Sequence, residues 1–436
     1  MQGLGARKAA WEVIQAVGGG AFADVALERV LNLYSFQSID KALITELSYG
    51  AIRQRYFLDC WIDLLGKVSA NKQPPLLRWL LHLGLYQIFK MERIPPFAAI
   101  NTTVELAKTN HLKKLAPVVN GILRSALRSK EKGCLLPKSK NLSLELAKNE
   151  SLPVWFSEKL IEWKGVDNAF DIAQAFNRVS PIDLRVNILR ADLKEIKKSF
   201  DSYEIKNKLI PDCPFGLEVL AGVGEPKGWP GYEEGKWSVQ DRSSQLIAPY
   251  LGPLPGEKIL DACAAPGGKS THIAELINNQ GEVWSIDRSY LRAKKILANS
   301  DRLGTRCLQV LVADSTDLLT KHPEWEDYFD RILIDAPCSG LGTLARHPDA
   351  RWRINKKTIQ ELVIIQNKLL NSLVPLLNSG GRLVYSTCTI HPDENFNQIK
   401  KFLSTKPEFL LEYEKQIWPG EGQNGDGFYV AVLNKM

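Results

Sequence analysis

Two cysteines in this 436-residue chain, Cys338 and Cys388, stand where a sulfur could do chemistry. Cys338 lies in Asp335-Ala336-Pro337-Cys338-Ser339-Gly340, and Cys388 in Tyr385-Ser386-Thr387-Cys388-Thr389. Each follows a short apolar run and is set in polar, turn-forming sequence. A thiolate is the nucleophile. An ordinary thiol, with a pKa of about 8.5, is a few per cent ionised at neutral pH, and a favourable field raises that fraction. The alternative is a small buried hydrophobe, which describes most free cysteines and is the reading for Cys60, Cys134, Cys213 and Cys307. No Cys/His spacing matches a zinc site and the six histidines are scattered, so no metal is expected.

A second group of residues suits a cofactor. Cys263-Ala264-Ala265-Pro266-Gly267-Gly268-Lys269 follows a predicted strand, Lys258–Asp261, and opens a helix. Small residues and glycines at such a turn let backbone amides approach a ligand closely. The run is neither Gly-x-Gly-x-x-Gly nor a phosphate-binding P-loop, which argues against a dinucleotide. Asp261, Asp287, Asp314 and Asp335 are expected at the carboxyl ends of four successive strands. Any one of them is equally a helix N-cap. Four in one register converge on a crevice that suits a ribose, an exocyclic amine and a cationic centre. S-adenosylmethionine meets that description, whereas the negative charge of ATP would be repelled.

These residues need a scaffold that gathers strand ends, and the pattern from Lys258 onward supplies one. Short apolar runs (KILDA, EVWSID, CLQVLVAD, DRILIDAP and GRLVYSTC) alternate with helical patterns. That rhythm predicts a parallel, doubly wound α/β sheet with its ligands at the strands' carboxyl ends. Both sulfurs then face one crevice. Residues 1–140 read as helices instead: Ala6–Val17, Phe22–Leu33, Lys41–Leu65, the amphipathic run 76–89 and Ala98–Lys108. Ser129–Asn141 reads as a basic linker. Residues 141–235 read as a linker with a small α/β subdomain: helices near Leu152–Lys164 and Asn168–Arg178, a strand at Pro181–Leu189, and a Pro/Gly-rich boundary from Gly222 to Gly235. Residues 236–436 form the expected catalytic domain. The fold class is therefore multidomain, α plus α/β.

Composition is that of a globular protein, 44% hydrophobic and 24% charged. No uncharged apolar run approaches the roughly 18 residues of a membrane span. The first residues lack the apolar core of a secretion signal, and the cysteines form no Cys-x-x-Cys pair, so a cytoplasmic protein is expected. The net charge of +7 is uneven: residues 1–150 hold 21 Lys/Arg against 12 Asp/Glu, and from Lys108 to Lys148 ten basic residues meet only Glu131 and Glu145. Such a face suits a phosphate backbone, or it is a solvated helical surface. Arg346-His347-Pro348-Asp349-Ala350-Arg351-Trp352-Arg353 combines cations with an aromatic, and reads either as a grip on nucleotides or as a solvated loop.

DACAAPGGK, DAPCSG and YSTCT, in this order, resemble the RNA 5-methylcytosine methyltransferase family over about residues 180–436. Arg185-Val186-Asn187 and Asp426-Gly427-Phe428-Tyr429-Val430 extend the likeness. Ala6-Arg7-Lys8-Ala9-Ala10, Ser48-Tyr49-Gly50, Ile94–Asn101 and Val118–Arg124 look like the helical domain of the antitermination factor NusB. The two together resemble the Sun/Fmu branch of bacterial small-subunit rRNA cytosine methyltransferases. Thr389, where many relatives have Ser, keeps the hydroxyl.

The resemblance implies a NusB-like RNA-binding bundle joined to a Rossmann-like domain. It implies S-adenosylmethionine as cofactor, 16S rRNA as partner at the family's cytosine-967 site, no membrane, and a monomer. Cys263, Ala264, Ala265, Pro266, Gly267, Gly268 and Lys269 would form the cofactor loop, with Asp287 at the ribose and Asp314 near the adenine. Asp335 would sit near both the methionine moiety and the target base. Cys388 would be the nucleophile and Cys338 would assist its release, directly or through water. Two rivals remain: the same chemistry on tRNA, and an inactive NusB-like RNA-binding or antitermination protein.

Overall fold

In the computed structural model, which describes residues 3–220, 224–421 and 425–436, the chain divides into two units. The first runs to Arg178 and takes in Leu344–Arg353; the second holds Val179–Thr343 and Ile354–Met436.

The first unit is helical: α1 (Leu4–Gly18), α2 (Ala23–Leu33), α3 (Ser38–Arg53), α4 (Arg55–Leu65), α5 (Pro75–Lys90), α6 (Pro96–Thr109), α7 (Ala116–Glu131), α8 (Leu142–Glu150), α9 (Val154–Lys164) and α10 (Val166–Ala175). The predicted apolar face of α5 is there, but Leu77 and every residue from Trp79 to Ile88 are buried. The helix is central, packed by α1, α3, α4, α6 and α7, so burial extends around its circumference. The single helix expected over Lys41–Leu65 is two, because the chain turns at Gln54 (φ −92°, ψ 14°) between α3 and α4. The basic stretch includes a regular helix, α7, which also occupies the start of the predicted linker. Regular structure resumes at α8, whose first turn is capped by the Asn141 side chain accepting from Leu144 N at 3.0 Å.

Within the run Arg346–Arg353, Arg351 and Trp352 are tied to backbone carbonyls of the helical unit. Arg351 is 1% exposed. It donates to the carbonyls of Arg53, Ser151, Phe176 and Leu344 at 3.1–3.3 Å and to Asn177 Oδ1 at 3.2 Å. Trp352 Nε1 donates to Ile52 O at 2.7 Å, and Asp349 accepts from Ala23 N and pairs with Arg353. A guanidinium so engaged ties backbone carbonyls together and is not offered to phosphate.

The second unit holds two sheets. A small antiparallel one has the order β2 (Asn207–Leu209), β3 (Gly216–Val219), β1 (Ile182–Val186), β4 (Trp237–Val239). Its core contains Leu184, Phe200, Leu217 and Trp237. The predicted boundary run starting at Gly222 begins outside the described residues; its later part, with Trp229, packs on this core. The large sheet has the order β10 (Phe409–Ile417), β11 (Phe428–Lys435), β9 (Leu377–Thr387), β8 (Phe329–Asp335), β5 (Lys258–Asp261), β6 (Glu282–Asp287), β7 (Leu308–Val312). β5 to β9 pair in parallel as expected, and β10 and β11 add an antiparallel edge. Both faces are covered: Ile332, Ile334, Leu383 and Tyr385 point into one core, and Leu333, Val384 and Ile259 into the other. That is why these strands read as continuous apolar runs. The strand order reverses at β5 and β8, and the carboxyl ends of neighbouring parallel strands meet there in a crevice. Among the described residues, no helix is long and apolar enough to cross a membrane, and no cluster of three or more His, Cys, Asp or Glu could hold a metal ion.

Candidate active site

The two cysteines meet at the crevice. Cys338 follows β8 by three residues, Cys388 follows β9 directly, and their sulfurs lie 3.3 Å apart. Both are free and half-buried. Two backbone contacts hold the loops together: Gly342 N donates to Cys388 O at 3.0 Å, and Gly427 N donates to Gly342 O at 2.9 Å. A Cβ at Gly342 would fall 2.1 Å from Gly427 O and 2.8 Å from Cys388 O, so only glycine permits this approach. The hydrogen bond with Cys388, burial and the charge of Glu394 together push the Cys338 thiol well above its ordinary range.

Beside the sulfurs lies an ion pair. Lys269 Nζ donates to Asp335 Oδ2 at 2.6 Å, and Ser386 Oγ donates to Asp335 Oδ1 at 3.0 Å. The second bond follows from the β8–β9 register, which sets Asp335 opposite Ser386. Burial alone would pull the Lys269 ammonium down; Asp335, Asp261 and Cys388 outweigh it and raise the pKa above the ordinary lysine value. Lys269 also lies 5.3 Å from the centre of the Phe428 ring. A residue expected in the cofactor loop therefore also feels the charge of Cys388.

The loop Cys263–Lys269 leaves β5 and enters the helix Gly268–Leu276. Ala264 N donates to Ile286 O at 2.8 Å, which extends the pairing toward β6. The loop's carbonyls are held from outside: Ala265 O by Arg292 at 2.8 Å, Pro266 O by Asn299 at 3.0 Å and Gly268 O by Arg185 at 2.7 Å. Arg185 is buried, paired with Glu275 at 2.7 Å and bonded to Thr271. Arg185, on β1, thus braces the end of this loop. Burial pushes the Cys263 thiol up, with Asp261 and Asp335 adding to it. This cysteine is a packing residue of the turn.

Asp261, Asp287 and Asp335 do end their strands. Asp314 does not: β7 stops at Val312, and Asp314 is exposed and caps a 3-10 turn by accepting from Thr316 N and Oγ1. The N-cap alternative applies at this position. Asp287 is buried, accepts from Ser289 N at 2.9 Å and lies 3.5 Å from Arg292. Asp261 is buried too. Ser270 Oγ donates to its Oδ2 at 2.6 Å, and its Oδ1 has no hydrogen-bond partner. Burial, with the charge of Asp335, pushes its pKa up to about 7 against the opposing bond from Ser270.

This lining fits a cationic ligand carrying hydroxyls. It offers a buried acceptor without a partner, carboxylates at adjacent strand ends, and a turn whose Gly267 (φ +99°) leaves no room for a side chain, since a Cβ would meet Ile296 at 3.1 Å.

Comparison with known proteins agrees with the geometry. A profile described as 16S rRNA methyltransferase RsmB/F matches residues 248–434, and the NusB family profile matches residues 4–128. The probable ribosomal RNA small subunit methyltransferase B of Synechocystis sp. is 38% identical, covering 99% of this chain and 100% of the relative. Its namesake in Bacillus subtilis is 36% identical over 91% of this chain and 88% of the relative. The chain belongs to the RsmB/F family of 16S rRNA methyltransferases. It is an S-adenosylmethionine-dependent RNA methyltransferase with a NusB-like helical region. Among solved structures, the crystal structure of PH0851 superposes with a TM-score of 0.83 at 26% identity, covering 100% of this chain and 99% of that one. A methyltransferase homolog protein from Pyrococcus horikoshii superposes with a TM-score of 0.61 at 26% identity, over 68% of this chain and 100% of that one.

One residue beside the two cysteine loops carries no signal of that place in the sequence. Glu394, on the turn Pro392–Glu394, is fully buried beneath the cysteine loops. It accepts from Ser339 N at 2.8 Å, Gln366 Nε2 at 3.0 Å, Thr389 Oγ1 at 3.2 Å and the Ser339 hydroxyl. Its sequence, His-Pro-Asp-Glu-Asn, carries only the signal of a polar turn.

Proposed function

We propose that this protein methylates carbon 5 of one cytosine in 16S rRNA, at the family's cytosine-967 position, through a transient bond between Cys388 and carbon 6. The observation that carries this reading is the 3.3 Å approach of the two sulfurs beside the Asp335–Lys269 pair. S-adenosylmethionine would be held by Cys263, Ala264, Ala265, Pro266, Gly267, Gly268 and Lys269, with Asp287 at the ribose, Asp335 near the methionine moiety and Asp314 toward the adenine. When bound, it supplies a methyl group made electrophilic by a sulfonium, which carbon 5 of the activated ring takes up.

The chain's own residues prepare that ring. Carbon 5 of cytosine is a poor nucleophile. The Cys388 sulfur adds to carbon 6, and the electron pair of the 5,6 double bond moves so that carbon 5 becomes nucleophilic. Asp335 orients the ring by accepting from the exocyclic amine, and Lys269, as a donor to the ring's acceptor atoms, stabilises the negative charge that builds on the pyrimidine as the thiolate adds. After methylation the proton on carbon 5 is removed. Its bonding pair restores the double bond, the carbon–sulfur bond breaks, and Cys388 leaves with that bond's electrons. Cys338 is the group beside Cys388 suited to assist this step as base, directly or through water. To reach the crevice the base must leave any stack. The positive charge of the first 150 residues suits an RNA backbone.

The test is bisulfite sequencing after reaction of purified protein with 16S rRNA and with tRNA, using Cys388→Ala as control. One new 5-methylcytosine in 16S rRNA, absent with the variant, is expected. Methylation confined to tRNA would replace the substrate, and none on any RNA would favour an RNA-binding protein without this activity.

A further inference from the structure

We infer that Glu394 is a positioning residue that ties the loop after β8 to the loop after β9 and so fixes the approach of Cys338 to Cys388. This inference rests on the covalent reading above, because it assigns a purpose to that approach.

The carboxylate reaches both loops at once. It accepts from the backbone and hydroxyl of Ser339, immediately after Cys338, and from the hydroxyl of Thr389, immediately after Cys388. Those two hydroxyls also meet each other at 2.8 Å. Gln366 closes the third side: its Nε2 donates to Glu394 at 3.0 Å and to Pro337 O, just before Cys338, at 2.9 Å. Cys338 is therefore braced before and after by one buried hub. The hub is itself anchored, since the Glu394 backbone carbonyl accepts from Tyr385 Oη, on β9, at 2.7 Å.

The hub contains no cation. Burial raises the carboxyl's pKa, and its four donors oppose that rise. An unpaired buried carboxyl is costly to a fold, so its place between two reactive thiols calls for a role beyond stability. That role follows from charge. Glu394 disfavours ionisation of Cys338, while Lys269 places positive charge near Cys388. The two sulfurs, 3.3 Å apart, therefore have differently charged neighbours.

Two substitutions divide the tie from the charge. In Glu394→Gln the amide oxygen can take the bonds from Ser339 N and Gln366, and its nitrogen can donate to the two hydroxyls, so the tie survives and the charge goes. Glu394→Ala removes both. With the full-length protein, the rate of iodoacetamide alkylation at each cysteine is followed against pH by peptide mass spectrometry, alongside kcat, KM for rRNA and gel-stable protein–RNA adduct. Glu394→Gln should raise alkylation of Cys338 at pH 8 about three- to ten-fold with little change at Cys388, because removing a nearby negative charge favours the thiolate. Glu394→Ala should lower kcat by about ten- to a hundred-fold at near-constant KM and accumulate adduct, the loss expected of a displaced proton-transfer group. Unchanged Cys338 alkylation in Glu394→Gln would overturn the inference, as would parent-like turnover without adduct in Glu394→Ala. If Glu394→Ala does not fold, the Gln arm decides. A Cys338→Ala protein that forms no adduct would instead refute the covalent reading, and the alkylation arm, which needs no RNA, still judges Glu394.

Discussion

Asp59 in the helical unit and Asp261 in the sheet unit are both buried carboxylates, yet only the first is hydrogen-bonded to a cation. Asp59 accepts from Arg78 Nε at 2.8 Å, from a second Arg78 nitrogen and from His82 Nε2 at 2.8 Å. Burial alone would raise its pKa; His82 and Arg78 outweigh that and hold it at about 2. Burial pulls His82 down in turn, against the opposing charge of Asp59. Asp261 has one serine hydroxyl, a free oxygen and Asp335 nearby, and is pushed up to about 7. The first site has its charge compensated and serves the fold. Asp261, at the end of β5, has no direct ion pair, nor has Glu394, which braces the loops of the two cysteines. Perturbed groups gathered in one crevice mark the place where binding and chemistry have displaced stability as the constraint.

The contrast can be broken in three places. The largest effect is expected from Lys269→Met, which removes the cation shared by Asp335 and Cys388. Methyl transfer should fall by about 10²–10³-fold, the scale of losing one preorganised charge, with the urea midpoint little changed. Parent-like kcat would place Lys269 with Asp59 among residues that serve the fold. Next, Asp59→Asn should cost about 1–3 kcal/mol in urea unfolding, because it takes the charged acceptor away from half-buried Arg78 and buried His82, while the remaining folded protein keeps its kcat. The parent should show the linked pH dependence. Asp59 has a folded pKa below its unfolded value, so its stabilisation is present above about pH 4 and is lost as pH falls toward 2, about 2 kcal/mol in all. A variant as stable as the parent would show the cluster to be incidental. Last comes Asp261, where the sign reverses. Its folded pKa of about 7 exceeds the unfolded value, so the protonated form is favoured on folding and stability declines as pH rises between about 4 and 7. Asp261→Asn should remove that decline, leaving the protein about 1–3 kcal/mol more stable than the parent at pH 8 while weakening S-adenosylmethionine binding in calorimetry. A variant less stable at both pH 5 and pH 8 would contradict this.

The sequence made the strands of the large sheet legible because each strand of a sheet covered on both faces is a short apolar run. The strand-end positions of Asp261, Asp287 and Asp335, and those of Cys338 and Cys388 just beyond, follow from that pattern. The edge hairpin was not legible. β10 reads Phe-Leu-Leu-Glu-Tyr-Glu-Lys-Gln-Ile, with Leu410 and Leu411 exposed and a register shift between Leu411 and Tyr413, which blurs the period of two. α7 was hidden by its basic residues, and the break at Gln54 by unbroken helical composition on either side. Arg351 and Glu394 were beyond local reading for a deeper reason. Arg351 bonds to Arg53, Ser151 and Phe176, between 175 and 298 positions away. Glu394 bonds to Ser339, 55 positions away. Whether a charged residue is solvated or buried is decided by partners that no local pattern contains.

The proposed reaction turns on which sulfur bonds to the pyrimidine. Cys338→Ala should stall the release step, so the protein incubated with its rRNA and S-adenosylmethionine should retain a covalent complex through denaturing electrophoresis. Nuclease and protease digestion followed by tandem mass spectrometry then locates the link. A 5-methylcytidine nucleotide carried on the peptide containing Cys388 is the predicted result. The same nucleotide trapped on Cys338 in a Cys388→Ala protein that still forms the complex would contradict it.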